Sequence, residues 1–393
     1  MTVIFYIESF FPDPTGATYS AIRLAKALRD KGVQSSFIVD DRGEQYRDGG
    51  KYQGFDVQSF TLGQPGKFRK LRGLLRFTIH IVKHRKSFDV FHIHGGYYVT
   101  LFLCWWVKAL TRSKVMLKIT SDGWDTPEDA CSSRYGCLVS FFYRRLDGVV
   151  AMTSGQEQKC RRWGFPNQVA TIPNGVDCES FRPVSPADKS RLRKKFNIPQ
   201  GVPTLCYAGW LGYRKGTDIL FRVWNKLLAS FGNLHLLLAG DYLGMAESRK
   251  EIERFLKKHD LPPELAYSSL LKLATKPGET RQALQSSDIF LFPSRKEGFG
   301  TVQIEAMACG LPCVVNDLPG VSSDIFPTES TGYRVTDNNI EQYTRILAEF
   351  LKNPKKRQTV GSTARERALK HFSIDLIADK YISFYKQLLS QAN

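Results

Sequence analysis

The sequence predicts an α/β protein with two domains, each a parallel sheet covered by helices, for three reasons. The chain has 393 residues, whereas a single hydrophobic core stops growing at roughly 250 to 300 residues. Short β-branched runs alternate with amphipathic helical segments from one end to the other, which is typical of parallel sheets. This alternation restarts after residues 181–186, a segment with two prolines, and such segments commonly link domains.

Ten short apolar runs are the predicted strands. They are residues 3–7, 35–39, 90–93, 115–119, 149–152, 169–172, 204–208, 234–239, 289–292 and 313–315. Helices fill the gaps, as over residues 18–30, where Gly32 follows as a C-terminal cap. We place the first domain at residues 1–185 and the second at 186–373. Because ligands bind beyond the carboxyl ends of such strands, the loops that follow them are the places to look for chemistry.

Composition excludes several classes of protein. With 42% hydrophobic and 24% charged residues, the chain is globular rather than disordered. The eight cysteines form no CxxC pair and no zinc-like spacing, so neither a metal site nor a disulfide framework is indicated. The start of the chain lacks the features of a secretory signal, and the apolar segment 97–110 is shorter than the roughly 20 residues that span a bilayer. We therefore expect a cytoplasmic protein.

The net charge of +18 indicates attraction to polyanions or to an anionic membrane. Much of this charge lies in residues 67–86, which contain eight Lys or Arg and no acidic residue. Apolar residues recur through this segment at helical spacing, namely Phe68, Leu71, Leu75, Ile79 and Val82. The pattern predicts a basic amphipathic helix with two possible roles. Either it packs its apolar face on the core and exposes a basic face, or it binds a membrane surface.

The most informative segment is residues 290–315, which read FLFPSRKEGFGTVQIEAMACGLPCVV. A buried strand is followed by a glycine-bearing turn, and a helix opens near Thr301. Such a turn presents backbone N–H groups and the positive end of the helix dipole, which suit a pyrophosphate. Glu297 lies in the turn and Glu305 inside the helix. These carboxylates suit a ligand that also carries hydroxyls, because a carboxylate accepts hydrogen bonds from vicinal hydroxyls.

This segment resembles the donor-site motif of the retaining glycosyltransferases of family 4, which have the GT-B fold of two Rossmann-like domains facing each other across a cleft. In that motif two glutamates lie eight positions apart, as Glu297 and Glu305 do here, and an EAMACG-like helix follows. The resemblance implies that Glu297 binds hydroxyls of the transferred sugar and that Glu305 binds the ribose of a nucleotide-sugar donor. The backbone that would cradle the diphosphate is that of Gly298, Phe299, Gly300 and Thr301.

A second loop, residues 208–216, resembles the family's strand-end loop, in which an arginine and a lysine neutralise the departing diphosphate. Lys215 matches the lysine. Trp210 stands at the arginine position, which leaves Arg214 as the possible substitute. A cation in this place lowers the barrier, because the leaving diphosphate develops charge as the glycosidic bond breaks. The resemblance thus marks Lys215, together with Glu297, as catalytic.

The first half of the chain resembles the family less closely. Gly16 lies where the family has a glycine-rich loop, so its backbone is expected near the donor diphosphate. His92 and His94 match a strand that ends in a histidine pair, and His94, nearer the end, is the candidate for the acceptor or sugar vicinity. Asp122 stands where many relatives carry a histidine against the donor sugar. It could orient the acceptor, act as a base, contact the sugar or cap a helix, and the sequence leaves these roles open.

Two further features agree with the family. Residues 172–177, IPNGVD, resemble the segment that closes the family's first domain, and residues 374–393 would form a helix that packs back on that domain. The chain has no Asp-x-Asp triplet, the usual divalent-metal anchor of the other large glycosyltransferase fold. We therefore expect a reaction without metal or other cofactor, in which Lys215 and the helix dipole replace a metal cation.

These features together predict a retaining glycosyltransferase that moves a sugar from a nucleotide-diphosphate sugar to a hydroxyl of a glycan or lipid-linked acceptor. We expect the donor in the second domain and the acceptor in the first. The basic segment 67–86 points to polysaccharide or glycolipid synthesis at the inner face of a membrane. Two alternatives stay open. One is a catalytically silent member of the same fold, and the other is a nucleic-acid-binding protein, for which the sequence contains no recognised motif.

Overall fold

The structure is a computed structural model of the chain. It describes residues 1–11, 14–40, 46, 49–62, 67–96, 98–121, 123, 125–132, 135–165, 168–240, 245–276 and 278–391. These residues fall into two compact units. Unit 1 is Met1–Gly175 together with Ile374–Asn393, and unit 2 is Val176–Ser373. Each unit has its own mainly parallel sheet with helices packed on it, which confirms the predicted α/β fold class.

Fourteen strands form the two sheets within the described residues. In unit 1 they are β1 Thr2–Ile7, β2 Gln34–Asp40, β3 Gly50–Tyr52, β4 Phe55–Phe60, β5 Val90–His94, β6 Lys114–Lys118, β7 Gly148–Ala151 and β8 Gln168–Thr171. In unit 2 they are β9 Thr204–Ala208, β10 His235–Ala239, β11 Leu271–Ala274, β12 Ile289–Phe292, β13 Cys313–Asn316 and β14 Tyr333–Val335. The sheet orders are β3-β4-β2-β1-β5-β6-β7-β8 and β11-β10-β9-β12-β13-β14. Neighbouring strands run parallel, except that β3 is antiparallel to β4.

The helices of the described chain follow the strands in alternation. They are α1 Gly16–Asp30, α2 Lys67–Lys83, α3 Tyr98–Leu110, α4 Pro127–Cys131, α5 Gly136–Tyr143, α6 Ser154–Arg162, α7 Pro186–Lys195, α8 Thr217–Phe231, α9 Met245–Lys258, α10 Glu279–Ser286, α11 Thr301–Ala308, α12 Ser322–Ile325, α13 Ile340–Lys352, α14 Pro354–Phe372 and α15 Ile374–Ser390. Two short 3-10 helices, Tyr213–Lys215 and Pro263–Tyr267, lie between them. The alternation is that of parallel sheets with helical crossovers.

Unit 2 begins before the predicted domain boundary at residue 185. Val176 forms a β-bridge with Ser373, at the other end of unit 2. The proline-bearing segment is also held by unit 2, because Gln285 Nε2 donates to the carbonyl of Ser180 at 3.2 Å and to that of Arg182 at 3.1 Å. The chain therefore changes units after Gly175, ahead of the two prolines.

Unit 1 has a hydrophobic core on each face of its sheet. One core includes Phe5 of β1 and Tyr381 of α15, and α15 also contacts α1. The other core includes Phe91 of β5 and Val107 of α3. Both faces of the central strands are thus covered, which explains their nearly continuous apolar sequences. The last helix of the chain completes the core of the unit in which the chain begins.

Helix α2 is apolar on two faces. Phe77 and Ile81 are fully buried, and a Cβ at Gly73 would lie 2.1 Å from the carbonyl oxygen of Thr61, so this face lies tightly against the rest of unit 1. The apolar residues that the sequence analysis singled out are all on the exposed side: Phe68, Leu71, Leu75, Ile79 and Val82. The interpretation in which those five residues pack on the core is therefore wrong, because Gly73, Phe77 and Ile81 already fill the inward face.

In each sheet, the strands that come first in the chain lie on one side of a single point, and the later strands are added on the other side of that point. In unit 1 this switch point lies between β1 and β5, and in unit 2 it lies between β9 and β12. Loops that leave the carboxyl ends of two such strands run in opposite directions and open a crevice, which is where ligands bind in sheets of this kind.

Candidate active site

Two loops of unit 2 leave β9 and β12 at the switch point. The first loop, residues 209–216, includes the 3-10 helix Tyr213–Lys215. The second loop, residues 293–300, leads into α11. Because β9 and β12 are paired, the two loops begin side by side. They carry most of the residues that the sequence predicts to bind a donor.

The two loops meet at Gly216 and Pro293. Gly216 has a φ of +67°, in the left-handed region that glycine adopts without strain. A Cβ atom at this position would lie 1.8 Å from the carbonyl oxygen of Pro293, which is far inside van der Waals contact. Both the backbone conformation and the close approach therefore require glycine here. This contact fixes the separation of the two loops.

Lys215 and Glu297 form an ion pair from one loop to the other. Lys215 Nζ lies 2.6 Å from Glu297 Oε1, and Ser294 Oγ donates to the same oxygen at 2.7 Å. The side chain of Glu297 is 8% exposed and that of Lys215 is 23% exposed, so the attraction is screened less than in a surface pair. The structure thus brings together two predicted catalytic residues that are 82 positions apart in the sequence.

The ion pair leaves hydrogen-bonding capacity for a ligand. An ammonium group carries three N–H donors, and Glu297 accepts from one of them. The ring centroid of Phe292 lies 5.7 Å from Lys215 Nζ, and an aromatic ring at this distance favours a cation. A lysine positioned in this way can donate to phosphate oxygens while the carboxylate of Glu297 accepts from hydroxyls.

Helix α11 begins directly after the second loop. Its N-cap, Gly300, has a φ of +78°, and the first turn contains no acidic residue, so no side chain there neutralises the positive end of the helix dipole. Gln303 Nε2 donates to the carbonyl of Phe299 at 3.2 Å and holds the turn. Thr301 is the first residue of the helix, and Glu305 lies one turn further on, 9% exposed. Backbone N–H groups at such a turn are well suited to a diphosphate.

Arg214 reaches from the first loop to the second. Its Nε donates to the carbonyl of Lys296 at 3.4 Å, and its own carbonyl accepts from the backbone N–H of Arg295 at 2.8 Å. Gly298 follows Glu297 in the second loop. Trp210, at the position where the family has an arginine, is 55% exposed. The structure therefore places Arg214 at the junction of the two loops, and its proposed contact with a diphosphate stays a prediction.

Sequence reasoning missed a second ion pair beside this site. Arg295 Nη1 and Nη2 each lie 2.6 Å from an Oδ atom of Asp218, and Nη1 also donates to the carbonyl of Tyr213 at 2.6 Å. Burial alone would raise the pKa of Asp218, but the hydrogen bonds and charge of Arg295 outweigh it and lower that pKa. Arg295 therefore clamps the 3-10 helix that carries Lys215 onto the second loop. No sequence spacing marks this pair, because the two residues are 77 positions apart.

The predicted site residues of unit 1 are not equally well placed. Asp122 lies outside the described residues. Gly16 is the first residue of α1, and among the described residues no atom lies within 4 Å of the place a Cβ would take there. His94, the last residue of β5, is 3% exposed, and within the described part of the chain neither ring nitrogen has a hydrogen-bond partner. Burial lowers the pKa of His94 well below its usual value, and the nearby charges of His92 and Lys118 lower it further.

A buried lysine that the sequence analysis also missed lies next to His94. Lys118, at the end of β6, is 2% exposed, and its Nζ donates to Asn174 Oδ1 at 2.6 Å and to Ser20 Oγ at 3.0 Å. Burial lowers the pKa of Lys118 to about 7, with a smaller effect from the charge of Arg23. Lysine is rarely buried, so no feature of the sequence predicted Lys118 in the core. Its contacts tie β6 to α1 and to the turn that ends unit 1.

Two searches of the described residues bear on metals and membranes. In the ranges that the structure covers, no group of three or more His, Cys, Asp or Glu side chains is arranged to hold a metal ion. None of the described helices is both long enough and apolar enough to cross a bilayer. The eight cysteines are free thiols.

Comparison with known proteins identifies two matching family models. The model described as Glycosyl transferase 4-like domain matches residues 15–175, which lie in unit 1. The model described as Glycosyl transferases group 1 matches residues 188–367, which lie in unit 2 and include both loops of the candidate active site. Together the two models cover most of the chain.

Individual proteins agree with this result. A GDP-mannose-dependent monoacylated alpha-(1-6)-phosphatidylinositol monomannoside mannosyltransferase from Corynebacterium glutamicum is 26% identical over 216 residues, which are 53% of this chain and 54%, about half, of that protein. Sucrose-phosphate synthase from Thermosynechococcus elongatus has a TM-score of 0.79 at 20% identity, with 100% of both chains covered. Anabaena HepE in complex with UDP-glucose has a TM-score of 0.76 at 19% identity, with 98% of this chain and 100% of that chain covered.

The family models and the similar solved structures both cover most of this chain. The models match one unit each, and the solved structures superpose over essentially the whole chain and so share its fold. The resemblance carried by Glu297, Glu305 and Lys215 is thereby confirmed at the level of the family. The chain belongs to the family 4 glycosyltransferases, the group 1 glycosyl transferases with the GT-B fold.

Proposed function

We propose that this chain transfers a sugar from a nucleotide-diphosphate sugar that binds at the two loops of unit 2. The observation that carries the proposal is the contact of 2.6 Å between Lys215 Nζ and Glu297 Oε1 at the switch point of the sheet. It places a cation for phosphate and a carboxylate for sugar hydroxyls side by side, next to the start of α11. Anabaena HepE, which shares the fold, was solved with UDP-glucose bound, and this supports a donor of the same chemical class.

Each part of the donor is assigned to the residues of the two loops whose chemistry suits it. Glu297 accepts hydrogen bonds from hydroxyls of the transferred sugar, and Glu305 accepts from the ribose. The diphosphate lies against the backbone of residues 298–301, where the helix dipole favours negative charge. Lys215 donates to the diphosphate oxygens, and Arg214 adds a second positive charge from the exposed side. We assign the acceptor to unit 1, with His94 and Asp122 as the residues to test, and the backbone of Gly16 to the vicinity of the donor diphosphate.

The reaction follows from where charge develops. The bond between the anomeric carbon and the diphosphate oxygen breaks, and a bond from that carbon to the acceptor oxygen forms on the same face of the sugar, with retention of configuration. The proton of the acceptor hydroxyl passes to the departing diphosphate. Lys215 and the dipole of α11 stabilise the negative charge that grows on this group, and removal of one such stabilising group typically costs about 100-fold to 1,000-fold in turnover. No metal ion takes part in this scheme.

The acceptor in this proposal is a hydroxyl of a glycan or of a lipid-linked sugar, at the inner face of a membrane. The name of the relative from Corynebacterium glutamicum describes an enzyme that acts on a phosphatidylinositol monomannoside. The basic segment around α2, with eight Lys or Arg in residues 67–86, suits an acceptor that is held at an anionic surface.

A screen of nucleotide sugars by thermal unfolding tests the donor site directly. A ligand at 100 times its dissociation constant adds about 2.7 kcal/mol to the free energy of unfolding, so one nucleotide sugar should stabilise the wild type. Glu297→Gln should lose most of that stabilisation. The matched control is Glu253→Gln, because Glu253 also pairs with a lysine, Lys257 at 2.9 Å, but on α9. Stabilisation by none of the common nucleotide sugars would contradict the proposal.

Product analysis separates the remaining parts of the proposal. NMR of the product should show the anomeric configuration of the donor retained, and turnover should be unchanged by a chelator. Inversion would contradict the retaining step, and loss of turnover on chelation would contradict the metal-free step. Donor binding without transfer to any acceptor would identify a silent member of the family. Salt-dependent binding to oligonucleotides without donor binding would instead favour the nucleic-acid alternative.

A further inference from the structure

Helix α2 exposes a continuous apolar stripe, and nothing in the proposed chemistry at Glu297 requires one. The five residues of this stripe recur at spacings of three and four, so they form one line along the helix. Their exposed fractions are Phe68 90%, Leu71 66%, Leu75 59%, Ile79 59% and Val82 39%. With about 1.5 Å of rise per residue, the stripe from Phe68 to Val82 is about 21 Å long. Exposed apolar patches of this extent mark interaction sites.

The packing of the opposite face fixes the direction of the stripe. Phe77 and Ile81 are 0% exposed. At Gly73 the helix lies so close to Thr61 that an ideal Cβ atom would be only 2.1 Å from the Thr61 carbonyl oxygen. Rotation of α2 about its axis would expose Phe77 and Ile81 and would bring a larger side chain against Thr61. The helix therefore cannot hide the stripe without losing its own contacts with unit 1.

Positive charge borders the stripe along one side. On a helical projection, Arg72, Arg76 and Lys83 lie next to the apolar line, on the flank away from Thr78. Residues 67–86 contain no Asp or Glu, so no acidic side chain within this segment offsets these charges. An apolar line beside a row of cations is the pattern of a helix that lies in the surface of an anionic bilayer.

Aromatic side chains border the stripe on the other side. Trp106 Nε1 of α3 donates to Thr78 Oγ1 of α2 at 2.9 Å. The ring of Trp106 stacks on that of Phe102, with centroids 5.9 Å apart, and its centroid lies 5.7 Å from that of Trp105. All three rings are half-buried. Tryptophan is enriched at the level of lipid headgroups because its ring is apolar and its N–H is polar.

We propose that the exposed face of α2 docks unit 1 on an anionic lipid bilayer. The helix lies flat, with Leu71, Leu75 and Ile79 inserted among the upper acyl chains and Arg72 and Lys83 against lipid phosphates. A nucleic acid would satisfy the cations but would leave the apolar stripe in water, so lipid fits both features at once. The inference concerns α2 alone and stands whether or not the sugar acceptor is a lipid.

Vesicle flotation of the full chain tests this docking. The wild type should float with phosphatidylcholine vesicles that contain phosphatidylglycerol and should not float with phosphatidylcholine alone. Replacement of Leu71, Leu75 and Ile79 by serine should remove most of the flotation with the mixed vesicles at the same salt concentration, because the apolar contribution to binding is lost. Replacement of Arg72 and Lys83 by glutamate should weaken binding at low salt by at least about 30-fold, because each cation near an anionic surface strengthens binding roughly fivefold.

Matched controls use exposed residues of the same kind in unit 2. Leu369→Ser removes a side chain that is 43% exposed on α14, and a double change of Arg254 and Lys258 to glutamate removes as many exposed charges. Both controls should float as the wild type does. Thermal unfolding should be unchanged in every variant, since the altered side chains are on the surface.

Three results would overturn the inference. The first is flotation that the serine and glutamate variants of α2 do not change. The second is an equal loss of flotation in the unit 2 controls. The third is a wild type that elutes as a dimer from size-exclusion chromatography while the serine variant elutes as a monomer, because the stripe would then be an interface between two copies of this chain.

Discussion

The two units have switch points of the same topology, but the polar residues at these points differ in exposure and in partners. In unit 2, Lys215 and Glu297 lie on loops beyond the strands and pair with each other at 2.6 Å, with the Lys215 side chain 23% exposed and that of Glu297 8% exposed. In unit 1, His94 and Lys118 end neighbouring strands, pair in register across the sheet and are almost completely buried. Burial lowers the pKa of both unit 1 residues, so it favours their neutral forms.

This difference separates the proposed donor site of unit 2 from the buried polar residues of unit 1. Charged groups that are held by one another and still reach solvent can exchange partners with a ligand. Polar groups that are buried hold chain segments together instead. Lys118 ties β6 to Asn174 and Ser20, and His92 Nδ1 lies 2.8 Å from the hydroxyl of Tyr385 on α15. The topology alone therefore does not favour one unit as the donor site, whereas the exposure and pairing of the residues favour unit 2.

The largest expected combined effect on turnover and stability comes from forcing the two loops of unit 2 apart. In Gly216→Ala, the new Cβ would meet the Pro293 carbonyl at 1.8 Å, so the loops must separate and Lys215 must move from Glu297. A misplacement of about 1 Å can cost about 100-fold in turnover, and we expect a loss of that size. The free energy of unfolding should fall by about 3 kcal/mol, from backbone strain and overpacking. Turnover and denaturant unfolding measure the two effects.

The control for this change is in the same loop. Gly212 has an extended φ of 164°, and a Cβ there would meet nothing within 4 Å. Gly212→Ala should therefore change stability by less than about 0.5 kcal/mol. Equal turnover losses in Gly212→Ala and Gly216→Ala would show that contact with Pro293 is not what fixes the site.

A smaller effect is expected from removing the clamp beside the ion pair. Arg295→Ala leaves Asp218 without its partner and frees the 3-10 helix that carries Lys215. We expect kcat to fall about tenfold, since Lys215 becomes less well oriented, and Arg295→Lys to recover only part of it because lysine cannot make the two-pronged contact. The control is Arg334→Ala, which removes a similar Arg–Asp pair, to Asp317 at 2.8 Å. A rise in KM with kcat unchanged would contradict a positioning role.

The last prediction concerns stability alone and tests the buried core of unit 1. The pKa of Lys118 is about 7 in the folded chain and has a reference value of 10.5, so between these pH values the unfolded state binds the additional proton. Stability from this group therefore rises as pH increases from about 7 to about 10.5, by at most about 1.4 kcal/mol per pH unit. Lys118→Met should remove that rise. Chemical denaturation across this pH range measures it, and parallel profiles for the two proteins would contradict the burial of Lys118.

The fold could be predicted because the spacing of apolar residues along the chain follows which side chains are buried. Each of the ten predicted strands is present, with ends shifted by at most one residue. The four missed strands are β3, β4, β11 and β14, which lie at or next to the edges of the sheets. Edge strands are exposed and short, so residues such as Lys51 in β3 and Arg334 in β14 break the apolar runs on which the prediction relied.

The site could be predicted only where it follows local sequence. The turn and helix around Glu297 were found because strand, glycines and carboxylates are contiguous. The clamp formed by Arg295 and Asp218 was missed because it joins distant segments, and Lys118 because its burial depends on contacts with α1 and Asn174 that no local pattern shows. For α2, the sequence contained two apolar faces, and only the packing of Phe77 decided which one is inside.

The most direct test of the account is the rate of sugar transfer by Lys215→Ala, once a donor and an acceptor are known. In the proposed reaction Lys215 stabilises the leaving diphosphate, so kcat should fall by at least about 100-fold while the protein stays folded. Lys257→Ala, which removes the lysine of a comparable Lys–Glu pair on α9, should transfer sugar at the wild-type rate. Transfer by Lys215→Ala at the same rate as Lys257→Ala would contradict the claim that the two loops of unit 2 form the donor site.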